Sequence, residues 1–188
     1  PVLLDPVGAG ASGLRTSTAQ KLIEEIHFTV IRGNVSEIKT LALGNGTTKG
    51  VDADGADKVS EENLETMIAF MKKFAKEHAC IVAATGAIDL VADEKTCYVI
   101  RNGRAEMGQI TGTGCQLSGL MTAYITANPD ALLEASACAV MIMGIAGEIG
   151  YEHLAAYEGN ASYRNRIIDA VCHMDVQTLK ERAKYEVR

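Results

Sequence analysis

The residues whose types and settings could do chemistry are Asp5, Arg32, Glu37, Thr85, Asp89 and the run Gly112-Thr113-Gly114-Cys115. Each follows a short apolar run or opens a helical pattern. Gly112 to Cys115 precede a helical stretch to about Ala127. Glycines let the backbone come close to a ligand, and the first amides of a helix lack intrahelical acceptors. With the helix dipole they form an anion site. Such a site would stabilise charge on a transferring phosphoryl group. The same residues also fit an ordinary glycine-rich loop entering a helix. At the start of that helix, the dipole favours a thiolate at Cys115. Within hydrogen-bond reach of a substrate hydroxyl it would be a general base, and a weak one, because a nearby triphosphate opposes its charge. The alternative is a small core residue, which is the reading for Cys80, Cys97, Cys138 and Cys172.

Asp5 follows a buried-looking strand, where a carboxylate is costly unless paired or bound to a cation. Glu37 stands at a helix start near Arg32. Together the two carboxylates could hold Mg²⁺ directly or through water. Charge matching at a helix N-terminus is the competing account of Glu37, and a turn-forming Asp-Pro that of Asp5. Gly8-x-Gly10-x-x-Gly13 matches the dinucleotide fingerprint literally. Three details oppose that match. Asp5-Pro6 intervenes after the strand, the next strand ends in Arg32 where an acid is expected, and Ser17 looks like the cap of the following helix. An NADP-dependent reductase stays a minor alternative, because Arg32 suits a phosphate. His27, His78, His153 and His173 lack metal-ligand spacing.

The elements that must position these groups alternate. Val2–Leu4, Phe28–Ile31 and Ile81–Ala84 read as strands buried on both faces. Between them lie a helix with Ser17 and Gln20 as its capping pair, a short helix from Ser36 to Leu41, and a helix capped by Ser60. In the last, Leu64, Met67, Ile68, Met71, Phe74 and Ala75 fall on one face. Residues 44 to 57 read as a long loop, with Val51 in a possible edge strand. Cys97–Ile100 and Arg104–Gln109 flank Asn102-Gly103, a hairpin signal. An apolar helix covers Ala131 to Ile149, and a last helix, Tyr163 to Val171, leads to a polar tail. Alternating strands and helices predict an α/β fold with a mostly parallel sheet and helices on both faces. Ligands then sit at the C-terminal strand ends, so one cleft is expected to gather all of these groups. Residues 1–188 read as a single domain. Val2 already looks like a central strand with no lead-in, so earlier strands are expected outside this chain.

Composition is that of a globular chain. The chain has 188 residues, a net charge of −6 and no Trp. It therefore lacks a basic face for nucleic acid or anionic membranes, and an aromatic platform for stacking bases. Five cysteines without a C-x-x-C indicate free thiols in a reducing, cytoplasmic setting. The charge-free stretch between Glu134 and Glu148 is too short to span a bilayer and reads as a buried helix.

Asp5-Pro6-Val7-Gly8, Ile31 to Glu37, Gly50-Val51-Asp52, Thr85-Gly86 with Asp89, and Thr111 to Cys115 occur in the order seen in hydroxyethylthiazole kinases, and the chain resembles that family over almost its whole length. Gly144-Ile145-Ala146 and Gly159 through Asp169 resemble its closing helices, with Tyr163 where Phe is usual. The resemblance implies a ribokinase-like fold. It implies transfer of the γ-phosphate of ATP to the hydroxyl of 4-methyl-5-(2-hydroxyethyl)thiazole, with Mg²⁺, in thiamine salvage. By it, Arg32, Asn34 and Thr85 are nucleotide-binding, and Asp5 and Glu37 are the carboxylates associated with magnesium. Gly112 contacts substrate, the Gly112, Thr113 and Gly114 amides form the anion hole, and Cys115 stands where most ribokinase-like enzymes carry an aspartate base. It also implies a homotrimer, and an opening segment of the family that lies outside these residues. A thiazole- or nucleotide-binding module without catalysis is the alternative.

Overall fold

The computed structural model describes residues 1–43 and 58–188. The loop and edge strand expected around Val51, with the Gly50-Val51-Asp52 motif, lie outside the described residues. The chain groups into two compact units, Pro1–Val99 with Val187–Arg188, and Ile100–Glu186.

The first unit is an α/β layer. Its elements in chain order are β1 (Leu3–Leu4), α1 (Gly13–Glu25), β2 (Val30–Asn34), α2 (Val35–Leu43), α3 (Leu64–His78), β3 (Ile81–Thr85), β4 (Asp89–Ala92) and the start of β5 (Cys97–Ile100). β-branched runs such as Val30-Ile31 and Ile81-Val82 favour the extended chain. β1, β2 and β3 are parallel, with Leu4 opposite Ile31 and Asn34 opposite Thr85. This register brings the residues after β1 and the last residues of β2 and β3 to one rim. β4 then runs antiparallel to β3. Only Gly86, Ala87 and Ile88 join them, and a parallel return needs a dozen or more residues. The mostly parallel expectation therefore holds up to β3 and reverses after it. In the sheet order β1 is outermost and β6 (Tyr185–Val187) stands at the other end.

α3 buries the predicted stripe from Leu64 to Ala75 and points Glu65, Lys73 and Glu77 outward. Met71 and Phe74 are fully buried, beside Ile31, Ile38, Val82 and Leu90. Burial of each such side chain contributes about 1.5–3 kcal/mol.

Several expected boundaries move. α1 begins at Gly13 with Ser12 in the cap position, and Ser17 lies inside the helix, donating to the Leu14 carbonyl. α3 begins after Asn63, not after Ser60; the Asn63 side chain accepts from the Ser60 amide. The Asn102-Gly103 hairpin does not form. Ala105–Gln109 is a 3₁₀ turn, and Asn102 is buried, its side chain bridging the Arg182 carbonyl and the Lys184 amide. The turn after β4 lies instead at Asp93–Thr96, where the Asp93 carboxylate accepts from the Lys95 and Thr96 amides. Gly103 keeps the positive φ (112°) expected of it.

The second unit is helical: α4 (Thr113–Ala127), α5 (Leu132–Glu152), α6 (Asn160–Cys172) and α7 (Val176–Arg182). By length and composition α5 could cross a membrane, but 72% of its apolar window is buried inside the protein, so it is a core helix, as expected. Gly144 makes that packing possible: a Cβ there would stand 2.8 Å from the Asn102 carbonyl carbon. The buried Tyr163 hydroxyl donates to the Gly147 carbonyl at 2.9 Å, which a Phe at this position would not do. The polar tail forms α7, capped by Asp175, and β6.

Candidate active site

In the first unit, three strand ends meet at Arg32. Its guanidinium donates to the Asp5 carboxylate at 3.2 Å and to the Thr85 hydroxyl at 2.9 Å. Parallel register explains the meeting, since Asp5 follows β1 on one side of β2 and Thr85 ends β3 on the other. Both charged side chains are largely enclosed, at 11% and 16% exposure. An enclosed ion pair is costly to form, and removing one partner from it costs about 3–5 kcal/mol. Such a pair is weak evidence for stability and better evidence for a use of the guanidinium, whose fork geometry suits phosphate oxygens.

Glu37 does something else. One of its oxygens accepts from the Gly8 amide at 2.9 Å and the other from the Asn34 amide at 2.8 Å. The Asn34 side chain in turn accepts from the Glu37 amide, a reciprocal cap at the start of α2. Glu37 thus pins the Gly8 loop to the end of β2, beyond helix charge matching. Gly33 is needed for this approach, because a Cβ there would lie 3.0 Å from the Glu37 carboxylate. The described bonds of Asn34 are those of a helix cap.

The glycine loop itself is internally satisfied. Gly8 donates to Glu37, Gly10 to the Thr16 hydroxyl, and Ala11 and Ser12 to the Gly8 carbonyl. Amides spent in this way cannot cradle a pyrophosphate. Gly13 does open α1, so the argument from a Ser17 cap fails, yet the dinucleotide reading loses its physical basis through these bonds.

At the β3–β4 turn, the Asp89 carboxylate accepts from the Gly86 amide at 2.8 Å. Burial pushes its carboxyl up to about 7, against the pull of that hydrogen bond and of the Arg32 charge. Asp89 enters the site through this turn, next to Thr85.

In the second unit, Gly112 occupies the cap position of α4 with φ 95° and no side chain to cap the helix. Among the described residues, its own chain neighbours aside, no atom lies within 4 Å of where its Cβ would be. The α4 entrance is open on that side. Cys115 is exposed, and Cys80 and Cys97 are buried with their thiols pushed up to about 12, whereas Cys138 is half-buried and Cys172, expected in the core, is exposed at the end of α6. All five cysteines are free thiols. Cys115 is therefore not the core residue of the alternative reading.

The donor set fits magnesium in one manner only. Among the described residues no cluster of three or more ligand side chains exists. Asp5 and Glu37 are hard oxygen donors already engaged by protein groups, though a carboxylate has about four acceptor sites. That matches a cation held mostly by its own waters and by phosphates.

Sequence spacing found Asp5, Arg32, Thr85 and Glu37 but not the Glu37–Gly8 clamp or the bond from Gly86 to Asp89. The i, i+3 spacing of Asn34 with Glu37 signals only their reciprocal cap, and not the bond to Gly8.

A family model described as the hydroxyethylthiazole kinase family matches residues 1–177. Hydroxyethylthiazole kinase of Clostridium acetobutylicum is 56% identical over 186 residues, which is 99% of this chain and 68% of that protein. The Ruminiclostridium cellulolyticum enzyme of the same name is 42% identical, over 98% of this chain and 65% of the relative. The chain thus spans about two thirds of the length of these relatives. The hydroxyethylthiazole kinase structure from Pyrococcus horikoshii superposes with a TM-score of 0.82 and 30% identity over all of this chain and 65% of its own. A Staphylococcus aureus pyridoxal kinase, solved with AMP-PCP, superposes at 0.57 with 18% identity and attests the ribokinase-like fold alone. The family match over residues 1–177 and the 56% identity across 99% of the chain show that this chain belongs to the hydroxyethylthiazole kinase family.

Proposed function

We propose that this protein transfers the γ-phosphate of ATP to the hydroxyl of 4-methyl-5-(2-hydroxyethyl)thiazole, in the cytoplasm, as a step of thiamine salvage. The observation that carries the reading is the enclosed Arg32 guanidinium, held between Asp5 and Thr85 at the C-terminal ends of parallel strands. A positive group fixed there suits a polyphosphate.

Roles divide among the residues. Arg32 and Thr85 bind nucleotide phosphates, with Asn34 beside them. Asp5 and Glu37 hold Mg²⁺ through its water shell, and the ion, when bound, neutralises charge on the phosphates. The free amides of Gly112, Thr113 and Gly114 face the equatorial oxygens of the phosphoryl group, and Gly112 also contacts the thiazole. Cys115 accepts the proton of the substrate hydroxyl. The alcohol oxygen forms its bond to the γ-phosphorus as the bond to the bridging oxygen breaks, and ADP leaves with that electron pair. The resemblance further supports a homotrimer, which light scattering of the intact protein would test.

The experiment is ADP release by the intact protein with Mg²⁺, with hydroxyethylthiazole and pyridoxal compared as acceptors. Release that depends on the thiazole alcohol is expected. Release with pyridoxal alone overturns the substrate assignment. Cys115→Asp should retain or raise turnover, because a carboxylate is ionised at neutral pH. Complete loss in a folded variant contradicts the base role.

A further inference from the structure

β3 ends at Thr85, whose hydroxyl accepts from Arg32 and whose chain continues at once into Gly86. Thr85 is held on the strand side by its register against Asn34 and by its hydroxyl, which donates to the Gly33 carbonyl at 3.4 Å, and on the other side by the turn that follows. That turn is short, Gly86 to Ile88, and Gly86 is exposed with no side chain to anchor it. Ile88 anchors its far end in the core, and across its neck the Gly86 amide donates to the Asp89 carboxylate at 2.8 Å. A Cβ on Gly86 would meet only the Ile88 carbonyl oxygen, at 3.7 Å, so packing leaves the turn loose on that side. Asp89 is held by β4, whose Leu90, Val91 and Ala92 are fully buried and registered against β3.

Asp89 is half-buried, and a partly enclosed carboxylate is costly unless it is hydrogen-bonded, as this one is to the Gly86 amide. Asn would offer the Gly86 amide the same kind of acceptor without charge. Arg32 lies close enough for its charge to act on Asp89. The guanidinium is thus flanked by Asp5 directly and by Asp89 at longer range, while the turn fixes the Thr85 hydroxyl that holds its other arm.

We propose that Asp89 is a positioning residue for the nucleotide: by holding the Gly86 amide it fixes the β3–β4 turn, and through Thr85 it aims Arg32 at the phosphates. This rests on the phosphotransfer reading above. Asp89 touches neither ATP nor the alcohol; it acts through Thr85 and Arg32. Its contribution belongs to nucleotide binding and not to the acceptor.

The test is ATP affinity by calorimetry and the separate KM values for ATP and hydroxyethylthiazole, in intact wild type, Asp89→Ala and Asp89→Asn. Circular dichroism melts confirm that each variant is folded. Asp89→Ala should weaken ATP binding about tenfold, the scale of one lost hydrogen bond, with the KM of the alcohol unchanged. Asp89→Asn keeps an acceptor for Gly86 and should come within about threefold of wild type. Unchanged ATP affinity in Asp89→Ala overturns the proposal, as does an equal rise in both KM values or an Asp89→Asn variant as impaired as Asp89→Ala. Should Asp89→Ala fail to fold, Asp89→Asn decides alone: the proposal requires its near-normal ATP affinity. If wild type itself does not bind ATP, the phosphotransfer reading fails instead, and the two failures are distinguished by that control.

Discussion

The chain has two glycine-rich entrances to helices, and they have opposite fates. At Gly8–Gly13 the backbone is closed on itself. Its amides are taken by Glu37, Thr16 and the Gly8 carbonyl, and a Cβ on Gly8 would lie 2.7 Å from the Arg15 guanidinium. At Gly112–Cys115 the cap has no side chain, a Cβ on Gly112 would meet nothing within 4 Å among the described residues, and Cys115 is exposed. Both segments read alike as strings of letters, and the first even matches a nucleotide-binding fingerprint. The first spends its loop amides, from Gly8 to Ser12, inside the protein, whereas the second has open space beside its cap glycine among the described residues. Glycines mark where a backbone can turn; whether its N–H groups remain open is decided by acceptors elsewhere in the chain.

Substitutions can break this comparison. Gly112→Ala should produce the largest effect. Removing or displacing an anion-hole donor lowers kcat by about a hundredfold, with a stability loss of about 1 kcal/mol for a side chain at positive φ. Steady-state kinetics beside a melt would check both. A variant that loses stability and keeps kcat would reverse the assignment. Gly8→Ala should do the opposite: φ 78° and the contact with Arg15 cost about 1–3 kcal/mol of stability, while kcat of the folded protein falls less than tenfold. Urea unfolding measures the first and turnover at saturating substrates the second. Thr16→Val removes the acceptor of the Gly10 amide and should cost about 1 kcal/mol in the same unfolding assay.

The gentlest test uses pH. The Asp89 carboxyl is pushed up to about 7 by burial, so the folded protein favours its neutral form. A raised carboxyl pKa adds stability at low pH that is lost as pH climbs from about 4 through about 7. Asp89→Asn does not titrate there. Relative to that variant, wild type should lose up to about 4 kcal/mol over that window. Equal pH dependence of the two unfolding curves would contradict the burial of this carboxylate.

Much of the architecture was legible because hydrophobic period carries it. The stripe of α3, the buried runs of β2 and β3 and the all-apolar α5 are each set by their own residues. What escaped depends on partners distant in sequence. Asn102-Gly103 has the composition of a hairpin turn, but Asn102 is taken by Arg182, Lys184 and Glu148, and the chain bends elsewhere. β6 escaped because Tyr185–Val187 is short and polar on its flanks, and only pairing with β5 makes it a strand. In the site, residue types at strand ends identified Arg32, Asp5 and Thr85, since parallel topology fixes where strand ends go. The clamp of Glu37 on Gly8 was not legible, because it joins residues 29 apart through a loop whose path the sequence does not state.

The most direct measurement is ³¹P NMR of the intact protein with ATP, Mg²⁺ and hydroxyethylthiazole, following the phosphate monoester and ADP together. The account requires the ester signal to grow one-for-one with ADP and to vanish when the alcohol is withheld. ADP without ester, or ATP bound and left intact beside the alcohol, would contradict it.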